Sequence, residues 1–519
     1  MDSTPSNYRK KYVHIYLWQA ISVLLGFASL FVVIPYLSSD KILYGTYSVC
    51  TSLTIFFTYA DLGFLGAGAK YSAEYYIRGD LRNEIKTMGF TAFLMMAIFL
   101  IIDAGLLYVA FNPNVLIPEI ALDSQQYRIA QNLLFILVLG CPLIIAQRIL
   151  QIIYMIRVED YKYQRIAIIG NIVKISSVLY FFGDKQYRIV EYYGFFQLVN
   201  LLIVVIALVG VRRYGYQLRE FFKSFKFDKK IFDSEKALSF ASFAFMISMM
   251  IYNEFDQIAI SNLYGIEAVA VYAAAFSLMT FVRTYSSVLY SPYSSRYNHY
   301  TGLHDIRGLI NFTKRVIMLI GPILVVPIFC FALLSEPFVV SWLGNEYRES
   351  GVLVSWLVMS YSVNGVTQPL SQYMTAREKN KEIALGAILS PLIYWSGIMI
   401  FSQFINVKSF AIMKFASPVV LSFYYWHVIT SSIREEGYSF FSPLKLIPIL
   451  LPSMVAAVLI TWWIKPIMFY THDSISLIYN FLIIGCCAIV CLAITLLTNK
   501  ELQKLTKSLY DSTKRKFQI

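Results

Sequence analysis

Eight charged side chains stand deep inside apolar stretches of this 519-residue sequence, and any chemistry would reside there: the cations Arg148, Lys174, Arg283 and Lys414, and the carboxylates Asp61, Asp103, Glu254 and Asp256. A charge at the centre of a bilayer costs about 2.5–3.5 kcal/mol on insertion scales, so such groups face protein or water and tend to mark a pathway. Guanidinium and ammonium donors suit phosphate and pyrophosphate oxygens. Arg148 and Lys174 lie in the first half of the chain, Arg283 and Lys414 in the second. If the halves face each other, the four would line one basic, water-filled cavity that attracts an anionic headgroup. The competing reading pairs each cation with a carboxylate or lets it snorkel to an interface. Lys414, about two turns from a helix end, is the readiest to snorkel.

The carboxylates read differently. Glu254 and Asp256 fall within Asn253-Glu254-Phe255-Asp256-Gln257. Residues two apart on a helix point about 200° apart, so they do not share one narrow cavity. Structural pairing is the first reading for them, and a proton or sodium coupling site the second. Asp61 precedes a loop bearing Lys70 and Arg78 and reads as an interfacial ion pair. Asp103 has no partner evident in sequence. Glu336, at the outer edge of an apolar block, is placed to reach water.

The elements that position these groups follow from composition. The chain is 58% hydrophobic and 14% charged, against roughly 25% charged in soluble domains. Its apolar residues fall in blocks of about 20, the length that crosses a bilayer as a helix. The expected fold class is an all-α polytopic membrane protein of about fourteen transmembrane helices. The first, His14 to Leu37, reads as retained rather than as a cleaved signal. The net charge of +13 is the basic excess expected of cytoplasmic loops rather than a nucleic-acid footprint. With the N-terminus inside, the inner loops take most of the Lys and Arg. Both ends are then cytoplasmic.

The expected organisation is a six-helix lobe over 1–211, a basic cytoplasmic linker over 212–236, a second six-helix lobe over 237–430, two extra transmembrane helices over 431–497, and a basic cytoplasmic tail over 498–519. A faint repeat agrees with it: Gly45 and Tyr47 recur as Ala270 and Tyr272, each opening the second helix of its half.

Absences narrow the function. No GxxxxGK[ST] phosphate loop occurs. The outer connections are short, and His14, His299, His304, His427 and His472 do not cluster there. No catalytic residue and no cofactor is expected. The six cysteines sit in apolar blocks without zinc-ligand spacing and read as packing residues, so no metal site is expected. The many tyrosines and phenylalanines read as interfacial belts and packing.

Several local patterns resemble a known family. Tyr44-Gly45-Thr46-Tyr47 leads into Asp61-Leu62-Gly63-Phe64-Leu65-Gly66 and Lys70-Tyr71-Ser72-Ala73-Glu74. Asp256-Gln257-Ile258-Ala259-Ile260 is followed by Val269-Ala270-Val271-Tyr272, and Trp342-Leu343-Gly344 by Glu346-Tyr347. In their order and spacing over roughly residues 10 to 430 these resemble polysaccharide repeat-unit (O-antigen-type) flippases, the oligosaccharidyl-lipid branch of the multidrug/oligosaccharidyl-lipid/polysaccharide exporter superfamily. The resemblance implies two six-helix lobes related by a pseudo-two-fold axis, a central V-shaped cavity and alternating access. It also implies an undecaprenyl-pyrophosphate-linked oligosaccharide substrate, moved from the inner to the outer leaflet of a bacterial cytoplasmic membrane for surface polysaccharide biosynthesis. Membrane lipids, a polymerase and chain-length proteins would be its partners. Arg148, Lys174 and Arg283 match the headgroup-binding role by depth rather than by motif.

One departure matters. Drug-exporting relatives usually carry a functional carboxylate in the first helix, and His14 to Leu37 holds none. An ion-coupled multidrug or metabolite antiporter of the same fold is therefore the alternative, and a membrane-embedded glycosyltransferase or polymerase the third reading.

Overall fold

In the computed structural model, residues 5–54, 57, 63–121, 124–183, 186–233, 247, 248, 250–302, 305–440 and 442–507 are described. Every extended element among them is helical. Ten helices among them are long and apolar enough to cross a membrane, so the chain is a multi-pass membrane protein. The other four expected crossings have visible reasons. The second and seventh run through residues outside those described. The tenth is divided at Val363, and the twelfth is less apolar, carrying Lys408, Lys414, His427 and Arg434.

The chain forms two compact units, Met1–Ala270 and Val271–Ile519. The first holds α1 (Pro5–Leu37), α2 (Lys41–Ser52), α3 (Phe64–Ile77), α4 (Leu81–Phe111), α5 (Gln125–Ile156), α6 (Asp160–Phe182), α7 (Ile189–Val211), the short α8 (Leu218–Ser224), α9 (Asp256–Tyr264) and the start of α10 (Ile266–Gly302). Side-chain caps define several starts. Asp40, Asp80 and Ser124 each accept from the backbone N–H three residues on, filling the donors a helix leaves open. Gly63, with φ of 77°, opens α3 in the left-handed region that a side chain would strain. Gly45 lets α2 close on the start of α10, since a Cβ there would stand 2.4 Å from the Ile266 carbonyl oxygen.

The basic segment after α7 is built onto this unit rather than left loose. Phe225 meets Phe93 edge-on at 5.6 Å, and Phe227 meets Phe90 at 6.0 Å. Lys86 Nζ lies 2.5 Å from Asp228 Oδ2. The lysine hydrogen bond holds the Asp228 carboxyl below the usual carboxylate range.

The second unit holds the rest of α10, then α11 (Ile306–Leu333), α12 (Ser335–Leu343), α13 (Arg348–Ser362), α14 (Asn364–Ala376), α15 (Asn380–Ile405), α16 (Lys408–Glu435), α17 (Leu446–Ile464) and α18 (Ser474–Thr498). The ninth expected crossing, Val316 to Val340, is thus split at Leu334 into α11 and α12. α15 and α16 form a hairpin joined inside the bilayer by Ser390 and Ser417, whose hydroxyls are 2.8 Å apart. α17 and α18 pack on α11. Asn480 of α18, fully buried, donates to the carbonyls of Phe469 and Pro337 and accepts from Phe469 N–H. Glu336 at the start of α12 joins Arg348 at 2.7 Å and Lys465 at 3.1 Å. The C-terminal pair is therefore tied to its unit both within the apolar layer and at its edge.

Candidate functional site

The four expected cations fall into two kinds. Lys174 and Lys414 are buried within their own units, at 6% and 2% exposure. Arg148 and Arg283 are half-buried.

Lys174 projects from α6 toward α7. Its ammonium donates to Asn200 Oδ1 at 2.7 Å and sits 3.8 Å from the centre of the Phe196 ring. The same Asn200 oxygen accepts from Gln147 Nε2 of α5 at 3.2 Å, and Asn200 Nδ2 donates to Gln197 Oε1 at 3.0 Å. One ammonium and three amides from three helices make a continuous polar network in the apolar layer. Among the described residues no carboxylate lies within ion-pair distance of Lys174. An uncompensated ammonium is costly here, and the π face and the amide dipoles offset part of that cost. Gly140 lets α5 pass close to these amides: a Cβ there would stand 3.1 Å from the Gln197 amide carbon, and the Gln197 side chain would have to shift by a few tenths of an ångström.

Arg148 follows Gln147 on α5. Among the described residues its guanidinium makes no hydrogen bond or ion pair. Lys414 of α16 sits 4.5 Å from the centre of the Tyr394 ring on α15. It does not snorkel to an interface. Among the described residues, each unit thus buries one lysine over an aromatic face between two neighbouring helices. Lys174 (α6) meets an aromatic on α7, and Lys414 (α16) meets one on α15, the preceding helix.

Arg283 lies on α10 in the second unit. Asp256 is buried in the first turn of α9, and Glu254, just before α9, is half-buried. Asp61 lies outside the described residues. Asp103 on α4 is half-buried, beside the Cys141 thiol of α5.

A second constellation was not evident in the sequence. At the ends of α4 and α5, Arg157 and Glu84 form an ion pair of 2.7 Å at 5% and 1% exposure. Tyr216 donates its hydroxyl to the same Glu84 oxygen at 2.6 Å. The rings of Tyr76, Tyr214 and Tyr216 surround the guanidinium, at 4.9, 4.9 and 5.3 Å. A cavity of about 340 Å³ opens beside the pair, lined also by Glu159 and Arg213. In sequence Arg157 reads as an ordinary loop cation. Tyr214 and Tyr216, two residues apart, were the available signal, while Tyr76 lies far from them in sequence.

No family model matches the chain. Over 231 residues it is 25% identical to EpsK, an uncharacterized membrane protein of Bacillus subtilis (strain 168), a match covering 43% of this chain and 44% of that protein. The match thus spans less than half the length of that relative. Among solved structures, the lipid II flippase MurJ in an inward closed conformation aligns over 93% of this chain and 98% of its own, with a TM-score of 0.68 at 15% identity. The chain shares the fold of a lipid II flippase. An inward-facing multidrug resistance MATE family transporter of the MOP superfamily aligns over 80% of this chain and 95% of its own, with a TM-score of 0.58 at 13% identity. A MOP superfamily transporter from Pyrococcus furiosus, described by a reversed polarity of its binding pocket, aligns over 80% and 95% with a TM-score of 0.51 at 13% identity. The superpositions show the shared fold, and at identities this low they show the fold alone. The substrate has to be argued from the residues.

Proposed function

We propose that this protein is a flippase that carries an undecaprenyl-pyrophosphate-linked oligosaccharide repeat unit from the inner to the outer leaflet of a bacterial cytoplasmic membrane. The observation that carries the reading is positive charge left without an ion pair, among the described residues, inside the apolar layer of the first unit, where the buried Glu84 is taken up by Arg157. Lys174 sits in an amide network without a carboxylate partner among the described residues, and Arg148, close to it in sequence, is half-buried without an ion pair there. Guanidinium and ammonium donors are suited to a pyrophosphate, which offers several oxygens at once.

In the mechanism, Arg148 and Arg283 take the pyrophosphate along the headgroup's path. Lys174 and Lys414 hold positive potential in the walls of that path. The apolar tail stays in the bilayer, and alternating access exchanges the two leaflets. The lobes 1–211 and 237–430 do the moving, the segment 212–236 links them, and the helices of 431–497 are added to the second. Both termini are cytoplasmic. Asp256 and Glu254 serve structural pairing, with proton or sodium coupling as the alternative reading for them, and a polymerase and chain-length proteins act on the product.

An ion-coupled antiporter is the second reading, favoured by the likeness to a MATE transporter. It calls for acidic rather than basic groups on the path. Substitution separates the two. The double variant Arg148→Ala/Arg283→Ala, at unchanged protein level, is expected to lose surface polymer export, and the Lys versions to retain part of it. Full export by the double Ala variant would contradict the cationic path.

A further inference from the structure

Three cysteines that the proposed transport leaves unused converge in the second unit. Cys330 lies on α11, and Cys487 and Cys491 lie on α18 four residues apart, so both of the latter leave one helix face. The three sulfur atoms all lie within 4.8 Å of one another, and the residues are 0%, 2% and 0% exposed. Cys486, the neighbour of Cys487, is exposed and is not one of the three.

We propose that Cys330, Cys487 and Cys491 form a three-sulfur site for a soft, filled-shell metal ion, zinc(II) or copper(I), that clasps α18 to α11. A single buried cysteine is best read as a small apolar residue. Three that bring their sulfurs together from two helices, while the next cysteine is exposed, supply what a chelating set requires. Sulfur donors select such ions over hard cations such as magnesium or calcium. With a metal–sulfur bond of about 2.3 Å, three sulfurs around one ion stand about 4.0 Å apart. The observed spacing reaches that by side-chain rotation of under about 1 Å.

Binding displaces thiol protons. Zinc(II) held by three thiolates releases three protons, and copper(I) held by two thiolates and one thiol releases two. Either complex carries a single negative charge, spread over large polarisable sulfur atoms. Cys487, with Cys486, Ile460, Ile464, Tyr479 and Leu482, also lines an apolar groove of about 340 Å³ at the edge of the site. Because α17 and α18 pack together and both pack on α11, the ion would fix the C-terminal pair as a whole, in addition to Asn480 and Glu336.

The test uses the full-length protein, reduced and stripped by a chelator. It is incubated with zinc(II) or, without oxygen, with copper(I), then desalted, and its metal content and X-ray absorption spectrum are measured. We expect one equivalent of one of the two ions, held by sulfur neighbours, with the retaining arm naming the ion. Loading is expected to raise the unfolding temperature. The Cys486→Ser variant behaves as the intact protein. Cys330→Ser and Cys487→Ser each lose affinity by at least the roughly 10–100-fold typical of an outer-shell partner. Retention of neither ion by the intact, monodisperse protein, or coordination through nitrogen and oxygen alone, overturns the proposal. Both readings come from the intact chain, so a variant that fails to fold does not obscure them.

Discussion

At the scale of single residues, burial decides which charges are structural. Arg157 and Glu84 are almost wholly withdrawn from water, and the guanidinium is further enclosed by three tyrosine rings. Removing one partner of such a pair leaves the other charge buried and unpaired, which costs about 3–5 kcal/mol. Glu84→Gln and Arg157→Met are therefore each expected to lower thermal stability in detergent by that order, and the double variant to cost less than their sum. Additive losses in a double-mutant cycle would show that the two side chains do not act as a pair. The sequence made Lys174 and Lys414 legible because a charge stands out in an apolar block. It did not reveal Gln147, Gln197 and Asn200, because neutral amides cost less in lipid and occur in many helices. Arg157 escaped notice for the opposite reason: it lies at a helix end, where cations are common.

At the scale of elements, apolar blocks located the crossings, but their interruptions were hidden. Leu334 separates α11 from α12 just before Ser335-Glu336-Pro337, a short polar step with a proline that the apolar residues on both sides outweigh, so a block of the right length read as one helix. Val363, between Ser362 and Asn364-Gly365, divides α13 from α14. The segment after α7 read as a linker by its charge, whereas its phenylalanines at 225 and 227 anchor it to α4. The Lys86–Asp228 bridge belongs to this anchoring and makes it sensitive to pH. Asp228 is held below the usual range by its lysine hydrogen bond. The folded form then binds fewer protons than the unfolded form in that range. The stabilisation is complete above the ordinary aspartate value of about 3.9 and disappears as pH falls through the lower folded value. Hydrogen exchange over residues 218–233, corrected for its intrinsic pH dependence, is expected to lose protection below about pH 4. Asp228→Asn is expected to show the weaker protection already at neutral pH. Equal protection in both proteins at neutral pH would rule the bridge out as an anchor.

At the scale of the whole molecule, composition alone placed the chain in the membrane, because so much apolar sequence can be satisfied there only as helices. The fold shared with the lipid II flippase extends over 93% of the chain, although short, diverged motifs were all that its sequence offered. The substrate is a property of side chains, and the proposed pyrophosphate-linked headgroup rests on Lys174 and Arg148, cations without an ion pair among the described residues. The most direct measurement is made in cells lacking the gene. Lipid-linked sugars are extracted, and the leaflet that holds them is determined with a reagent that does not cross the membrane. The account predicts that complete repeat units accumulate on the inner leaflet and that the intact gene restores their export. Complete units on the outer leaflet without polymer, or lipid-linked sugars unchanged from the parent, would contradict it.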